Sequence, residues 1–513
     1  MTANKQEALT NETLSFQLMT RAEPPELVIA TIQSLLAVKE ARDEILIIDN
    51  NNKETSLYEP LAAFCENLDD ELNVHFYHTD HVEGFKAGAL NLALGLMNPD
   101  CTHIVVVDSD YQALPHARVS IAQAIAQHPE HTLLQFPQFY RNEGQIDAHS
   151  ELNHYFNHHL YRAFNRDRAL STGTYAVIRR ADLLSIGGWS GASITEDAQM
   201  GVLMHRHGYR SRFIPKVIAT GLLPNTLDDL ICQRRRWIYG NMQVLTDYLS
   251  SPYFSSDTPT SQSKSISEHL AYTRAHLSQL SAWVNFTGFF ILLHLCAIVV
   301  MVEMLFVGSA NVSMLTPLYV VYAGYAFFIL RRLWAYCRDQ APLNDQLYDS
   351  QLDNSQINDS HKPRMSKKVR AWLMHLNFWE IGALSWLPVL WGRDKPFVCT
   401  PKQNYIRSRH SLVLKNIAAL PKLLMALNIV TGLVVAPFSP LYSPLLFGCA
   451  MLVCTLKLAS AKVAMDNFTA AKADKPIMIE VFKHTLKLAR VRKTSVTTLQ
   501  GSALFKEKES VDS

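Results

Sequence analysis

Along the first half of the chain, short apolar runs alternate with amphipathic stretches, the pattern of strands joined by helices. Leu14 to Met19 and Glu44 to Asp49 read as strands, with a turn over Thr20 to Pro25 and a helix from Glu26 to Val38 between them. A strand over Val74 to His78 precedes Gly84-Phe85-Lys86-Ala87-Gly88-Ala89-Leu90-Asn91, a glycine-containing helix start. Ile104 to Val107 is a run of β-branched apolar residues, which predicts a strand covered on both faces in the middle of a parallel sheet. Further strands are predicted at Leu133 to Pro137 and Tyr175 to Arg179, with a helix over His149 to Arg168 between them. The class this predicts is α/β with a mostly parallel sheet.

The second half changes character. Ser250 to Ser267 is rich in Ser, Thr and Pro and marks a linker. Beyond it, Trp283 to Val307 and Met314 to Leu330 are long and apolar enough to cross a bilayer, and Ile417 to Val435 with Leu441 to Lys457 form a second pair. Arg331 and Arg332 after the first pair, and Lys457 and Lys462 after the second, predict that these ends face inward. Glu303 and Lys422 fall near predicted helix ends, where long side chains reach the interface. The aromatic stretch Trp372 to Trp391, with Glu380 inside it, predicts a helix lying in the membrane interface. The expected organisation is a tail over 1–13, an α/β domain over 14–249, a linker and interface helix over 250–280 and a first helix pair over 281–333. A loop, interface helix and further loop follow over 334–410, then a second pair over 411–465 and a tail over 466–513.

Composition agrees with this division, since 48% hydrophobic content suits a soluble half joined to a membrane half. The eight cysteines include no Cys-x-x-Cys pair, so neither a disulfide framework nor a zinc site is expected. The net charge of +2 gives no sign of a nucleic-acid partner, and none is expected. Met1 to Gln17 lacks a basic start followed by an apolar core, so no signal peptide is expected. The α/β domain and both termini are therefore expected on the cytoplasmic side of a cell membrane crossed several times.

Open α/β sheets bind ligands at the carboxyl ends of their strands, and acids collect there at Asp49, Asp108 and Asp110. Asp-x-Asp offers hard oxygens to Mg²⁺ or Mn²⁺, which would hold a diphosphate, although Asp-Ser-Asp alone equally suits a solvated turn. Lys86 adds a cation beside a helix start whose N–H groups can meet an anion. Thr195-Glu196-Asp197 puts two carboxylates at another helix start, where capping alone accounts for Glu196. Gln233, Arg236 and Trp237 share one face of a predicted helix, where a guanidinium can grip a diphosphate and an indole can support a sugar ring. Arg234 and Arg235 suit anionic lipid beside the membrane. His154, His158 and His159 lack companion acids and are read as a polar helix face rather than metal ligands.

Asp49, Asp108-Ser109-Asp110, Thr195-Glu196-Asp197 and Gln233-Arg234-Arg235-Arg236-Trp237, in this order, resemble the signature of the processive family 2 glycosyltransferases, the group of cellulose, curdlan and hyaluronan synthases. The resemblance covers about residues 14 to 245. It implies a GT-A-like fold, a UDP-sugar donor and a Mg²⁺ or Mn²⁺ ion on Asp108 and Asp110, with Asp197 as the general base. By the same resemblance Glu23, Asp49, Lys86, Asp108, Gln233 and Arg236 contact the nucleotide, while Thr172, Gly173, Thr174, Glu196 and Trp237 border the acceptor. Phe397-Val398-Cys399-Thr400-Pro401-Lys402 resembles the family's gating loop, which makes Thr400 and Lys402 further donor contacts.

Arg21 stands where relatives have tyrosine, and Asp49-Asn50-Asn51-Asn52 where many have Asp-Asp-Gly-Ser. The asparagines are expected to make the turn because Asn tolerates left-handed backbone. The implied donor is UDP-glucose and the implied product a β-glucan of open linkage, passed through the lipid bilayer, with an export partner in the periplasm or outer membrane as a further expectation. The alternative is a transferase that adds one sugar to a lipid-linked acceptor, which would need neither Gln-x-x-Arg-Trp nor the loop. No second-messenger domain of the PilZ type is recognised from Lys472 to Ser513.

Overall fold

The computed structural model describes residues 12–51, 53–141, 145–161, 167–250, 266–338, 365–392 and 409–469. In chain order the first part runs β1 (Leu14–Thr20), α1 (Pro25–Leu36), β2 (Glu44–Asp49), α2 (Thr55–Glu66), β3 (Val74–His78), α3 (Phe85–Leu96) and β4 (His103–Asp108). It continues through β5 (Gln112–Ala113), α4 (Ala117–Gln127), β6 (Leu133–Gln135), α5 (Ile146–Tyr155), β7 (Ala176–Arg179), α6 (Arg180–Ser185), α7 (Glu196–Arg206), β8 (Ser211–Phe213), β9 (Ala219–Thr220) and α8 (Leu227–Ser250). The strands form a seven-stranded sheet in the order β3-β2-β1-β4-β7-β6-β8, with β5 and β9 paired separately.

β3, β2, β1 and β4 run parallel, and β7 enters antiparallel between β4 and β6. Ile104 to Val107 lie at the middle of this sheet with 0–1% exposure, as a run of β-branched residues covered on both faces should. Burying each such side chain stabilises the fold by about 1.5–3 kcal/mol. The parallel register pairs Met19 with Asp108, Thr20 with Asp49 and Asp49 with His78, so four strand ends deliver polar groups to one edge.

The stretch expected as one helix over His149 to Arg168 is α5 followed by a π-helical turn through Tyr161. Among the described residues its histidines form no group with carboxylates tight enough for a metal ion; His154 stacks on Tyr336 at 3.9 Å and on His158 at 5.3 Å. Among the described residues, the tight His and carboxylate grouping is instead His128, Glu130 and His131. It precedes β6 and so lies toward the amino ends of the strands, away from Asp108. α9 (Ile266–Leu280) packs back on the α/β part, burying Tyr272, Ala275 and His276, with His276 Nε2 and His205 Nδ1 2.7 Å apart.

α10 (Thr287–Val307), α11 (Thr316–Arg338) with the turn before it, and α17 (Pro444–Thr469) contain stretches long and apolar enough to cross a membrane. Their outward faces leave Phe289, Leu292, Phe306, Phe327 and Leu445 exposed, as lipid contact requires. The fourth expected span, Ile417 to Val435, is broken: α15 (Arg409–Ala419) and α16 (Leu423–Val434) meet at a 69° bend. Pro421 lies in the break, where its ring and missing N–H end a helix.

The interface helix expected over Trp372 to Trp391 is likewise three pieces, α12 (Met365–Leu376), α13 (Trp379–Leu384) and α14 (Leu387–Leu390). Its aromatic residues mostly turn inward: Trp372, Phe378 and Trp379 are buried, and Trp379 Nε1 donates to Thr287 Oγ1 at 2.8 Å. Glu380 is neutralised by Lys457 at 3.1 Å, and its other oxygen accepts the Leu423 N–H that opens α16. Lys457 is therefore an internal partner rather than an inward-facing end marker.

Candidate active site

One cleft at the carboxyl edge of the sheet is lined by Glu23, Lys86, Asp108, Asp110, Thr172, Gly173, Glu196, Asp197, Gln233, Arg236 and Trp237. These eleven positions come from six segments that are far apart in sequence, which is why only the fold brings them together.

The first wall is the end of β1 and β2. Glu23 Oε2 accepts from Arg21 N at 2.6 Å and from Thr20 Oγ1 at 3.3 Å, tightening the turn. Asp49 does not line the cleft. It is fully buried and holds His78 Nδ1 at 2.7 Å, Asn51 N at 3.2 Å and the Asn51 amide. Burial raises its pKa, and His78 opposes that rise. Asn51 in turn accepts from Ala22 N at 2.5 Å, tying the two turns together. Left-handed backbone falls on Ala22, with φ of 64°, and not on Asn50 or Asn51, and Asn51 acts through side-chain hydrogen bonds.

The floor is β4. Asp108 is partly exposed, and its backbone N–H donates to Thr174 Oγ1 at 3.1 Å, so Thr174 holds the strand end rather than lining the cleft. Asp110 is buried and accepts the Leu222 N–H at 2.9 Å. Lys86, in the first turn of α3, reaches Asp108 Oδ1 at 2.6 Å and Glu196 Oε1 at 3.8 Å. Burial works against the Lys86 charge, but Asp108 and Glu196 outweigh it and raise its pKa.

Opposite lies the start of α7. Glu196 and Asp197 are consecutive carboxyls with little access to water, and burial raises both pKa values, that of Asp197 to about 7, with Glu196 adding to it. Asp197 Oδ1 accepts the Ala198 N–H at 2.8 Å, satisfying a donor of the first helical turn, while its other oxygen faces Gly173. A carboxyl poised near neutrality in a cleft can accept a proton during a reaction.

α8 closes the cleft with Gln233, Arg236 and Trp237 on one face. It can do so because Gly240 has no side chain: a Cβ there would stand 2.5 Å from Thr195 Cγ2 and 2.9 Å from Ile194 Cγ1. Arg234 is not a lipid-facing residue. It is 1% exposed, ion-paired to Glu151 at 3.0 Å, and its guanidinium carbon lies 4.5 Å from the ring centres of both Trp237 and Trp283.

Sequence reasoning missed Tyr155, Trp283, Gln138 and Gln279, which also line the cleft. Tyr155 stacks on Trp283 at 4.9 Å, so an aromatic wall continues from Trp237. No motif marks these positions, and Trp283 was absorbed into the predicted membrane span. Thr400 and Lys402 lie outside the described residues.

Residues 18–187 match Glycosyl transferase family 2, and residues 103–330 match Glycosyl transferase family group 2. The chain is 25% identical over 229 residues to a poly-beta-1,6-N-acetyl-D-glucosamine synthase of Staphylococcus aureus, covering 43% of this chain and 53% of that protein. It is 28% identical over 232 residues to a putative cellulose synthase 2 of Komagataeibacter xylinus, covering 39% of this chain and 15% of that one. The match thus spans about half the length of the staphylococcal relative and less of the other. Among solved structures, a mannosyltransferase of Pyrobaculum calidifontis in complex with GDP-Man and Mn²⁺ aligns with a TM-score of 0.42 at 14% identity, over 75% of this chain and 89% of that one. Residues 18–330 thus carry the family 2 glycosyl transferase matches, on a mostly parallel sheet followed by a helical C-terminal region, and over this part the chain is similar to polysaccharide synthases.

Proposed function

We propose that the chain polymerises sugar from a UDP-sugar, with inversion at the anomeric carbon, and passes the product through the membrane. The observation that supports this best is the convergence of Asp197, the Lys86 and Asp108 pair and Trp237 on a single cleft. Asp197 takes the proton from the acceptor hydroxyl, whose oxygen attacks the anomeric carbon as UDP leaves. Asp108 and Asp110 form an all-oxygen donor set, which fits Mg²⁺ or Mn²⁺. When bound, such an ion supplies positive charge to the diphosphate. Lys86 and Arg236 add fixed cations to the same region, and Gln233 adds an amide.

Glu23 and, through Asn51, Asp49 shape the turns that would meet the base of the nucleotide. Thr172, Gly173 and Glu196 border the acceptor, and Trp237 supports its terminal ring. Thr400 and Lys402 belong to a loop that would cover the donor. The donor carried from the motifs is UDP-glucose, which makes the product a β-glucan. The relation to the staphylococcal synthase makes UDP-N-acetylglucosamine the second donor to test. The apolar helices α10, α11 and α17, with the bent pair α15 and α16 taken as a fourth crossing, make an even count that keeps the catalytic domain and both termini in the cytoplasm, with an export partner beyond the membrane.

Trp237 tests this reading. An aromatic face holds a sugar by apolar contact, without a hydrogen-bond pattern that must be broken at every step. Trp237→Ala is expected to leave UDP affinity by calorimetry near normal and to stop or greatly shorten the polymer. Full-length polymer from this variant, or lost UDP binding with chain length kept, would contradict the assignment.

A further inference from the structure

Arg234 sits under the cleft rather than in it, and its surroundings are unusual for a cation. Its guanidinium carbon lies 4.5 Å from the Trp237 ring centre, 4.5 Å from that of Trp283 and 5.5 Å from that of Phe378. Glu151 is equally buried, giving one oxygen to Arg234 Nη2 at 3.0 Å and the other to His375 Nδ1 at 3.2 Å. Burial opposes the charge on Glu151, but Arg234 and His375 more than offset it and keep its pKa below the ordinary value. Five pieces of chain meet here: α8 through Arg234 and Trp237, α5 through Glu151, the residues after α9 through Trp283, α12 through His375, and Phe378 just before α13.

A buried ion pair is a weak source of stability, because desolvation cancels most of its attraction. Apolar residues of similar volume would fill this space at least as well. What an apolar filler lacks is a planar cation that fixes two indole faces at once and is itself held at a set angle by a carboxylate. Both indoles line the cleft, whereas Arg234 does not.

We propose that Arg234 is a positioning residue for the acceptor, its guanidinium wedged between Trp237 and Trp283 and anchored by Glu151 so that the two rings meet the end of the growing chain at a fixed angle. This rests on the reading of Trp237 as the acceptor platform. It also ties that platform to α12, the helix between the membrane pairs, through His375.

The experiment compares full-length protein in lipid nanodiscs as wild type, Arg234→Met, the double variant Arg234→Met with Glu151→Leu, and Trp237→Ala. Each is assayed for thermal melting, UDP affinity by calorimetry, and product length with whichever of UDP-glucose or UDP-N-acetylglucosamine the wild type incorporates. Arg234→Met leaves Glu151 buried without its main partner and is expected to melt early. The double variant is expected to recover wild-type melting and UDP affinity while its product is shortened by about tenfold, the scale of a desolvated cation–π contact. A purely structural pair predicts recovery of melting and product length together, and full-length product from the double variant would overturn the proposal. Loss of UDP binding in the double variant would overturn it as well, by placing Arg234 on the donor side. Full-length product from Trp237→Ala would instead remove the platform reading beneath it.

Discussion

Gly173 stands against Asp197, so that a Cβ at position 173 would lie 3.2 Å from Oδ2. Its φ of +92° also belongs to the left-handed region that L side chains rarely adopt. The small-residue segment and the acid near neutrality are therefore fitted to each other. Gly173→Ala is expected to cost about 1–2 kcal/mol of stability from the backbone alone. It should also push the carboxyl off its position and lower turnover more than UDP affinity. Thermal melting, steady-state kinetics and UDP calorimetry on one preparation check this; unchanged turnover would show that Asp197 does not act from beside Gly173.

The pH dependence follows from Asp197, whose carboxyl is raised from 3.8 to about 7 by burial, with Glu196 adding to the shift. A base must be ionised, so turnover should climb as pH rises through about 7 and be low beneath it. Stability has the opposite sign. With the folded pKa above the unfolded one, the contribution is fully present below 3.8 and is lost as pH rises through about 7. Asp197→Asn should lower turnover by about 10²-fold or more and remove the acid limb of the profile. Above neutrality it should melt no earlier than wild type. A pH–rate profile that keeps its acid limb in the Asn variant would move the base elsewhere.

Asp110 holds the Leu222 N–H at 2.9 Å, so its removal loosens the segment that follows β9 as well as any metal contact. Asp110→Asn keeps an acceptor for that N–H and removes the charge. The variant should fold normally, and its UDP affinity with Mg²⁺ or Mn²⁺ present should fall to that of wild type with EDTA. Calorimetry with and without the ion separates the cases, and a full metal-dependent gain in the variant would exclude Asp110 as a ligand.

Much of the α/β half was legible because its signals are local. The strand boundaries at Glu44–Asp49 and Val74–His78 follow from apolar runs bounded by turns, and the sheet then gathers Asp108, Asp110, Asp197 and Trp237 as the motif order implied. Side chains whose role depends on a distant partner were not legible. Arg234 looks like a surface cation until Glu151, Trp283 and His375 fold around it. Asp49 and Thr174 sit in the right motifs but act beneath the cleft, because Asn51, His78 and the Asp108 backbone claim them first. In the membrane half, hydropathy located the apolar helices but not the bend at Pro421. Nor did it show that Trp372, Phe378 and Trp379 face inward.

The measurement closest to the central proposal is product size from vesicles carrying the full chain, given labelled UDP-glucose or UDP-N-acetylglucosamine with Mg²⁺ or Mn²⁺. The proposal predicts a high-mass polymer from one of the two donors, absent from Asp197→Asn vesicles and cut by a glycosidase specific for its linkage. Label that appears only as a single sugar on a lipid or other small acceptor, and never as polymer, would contradict it.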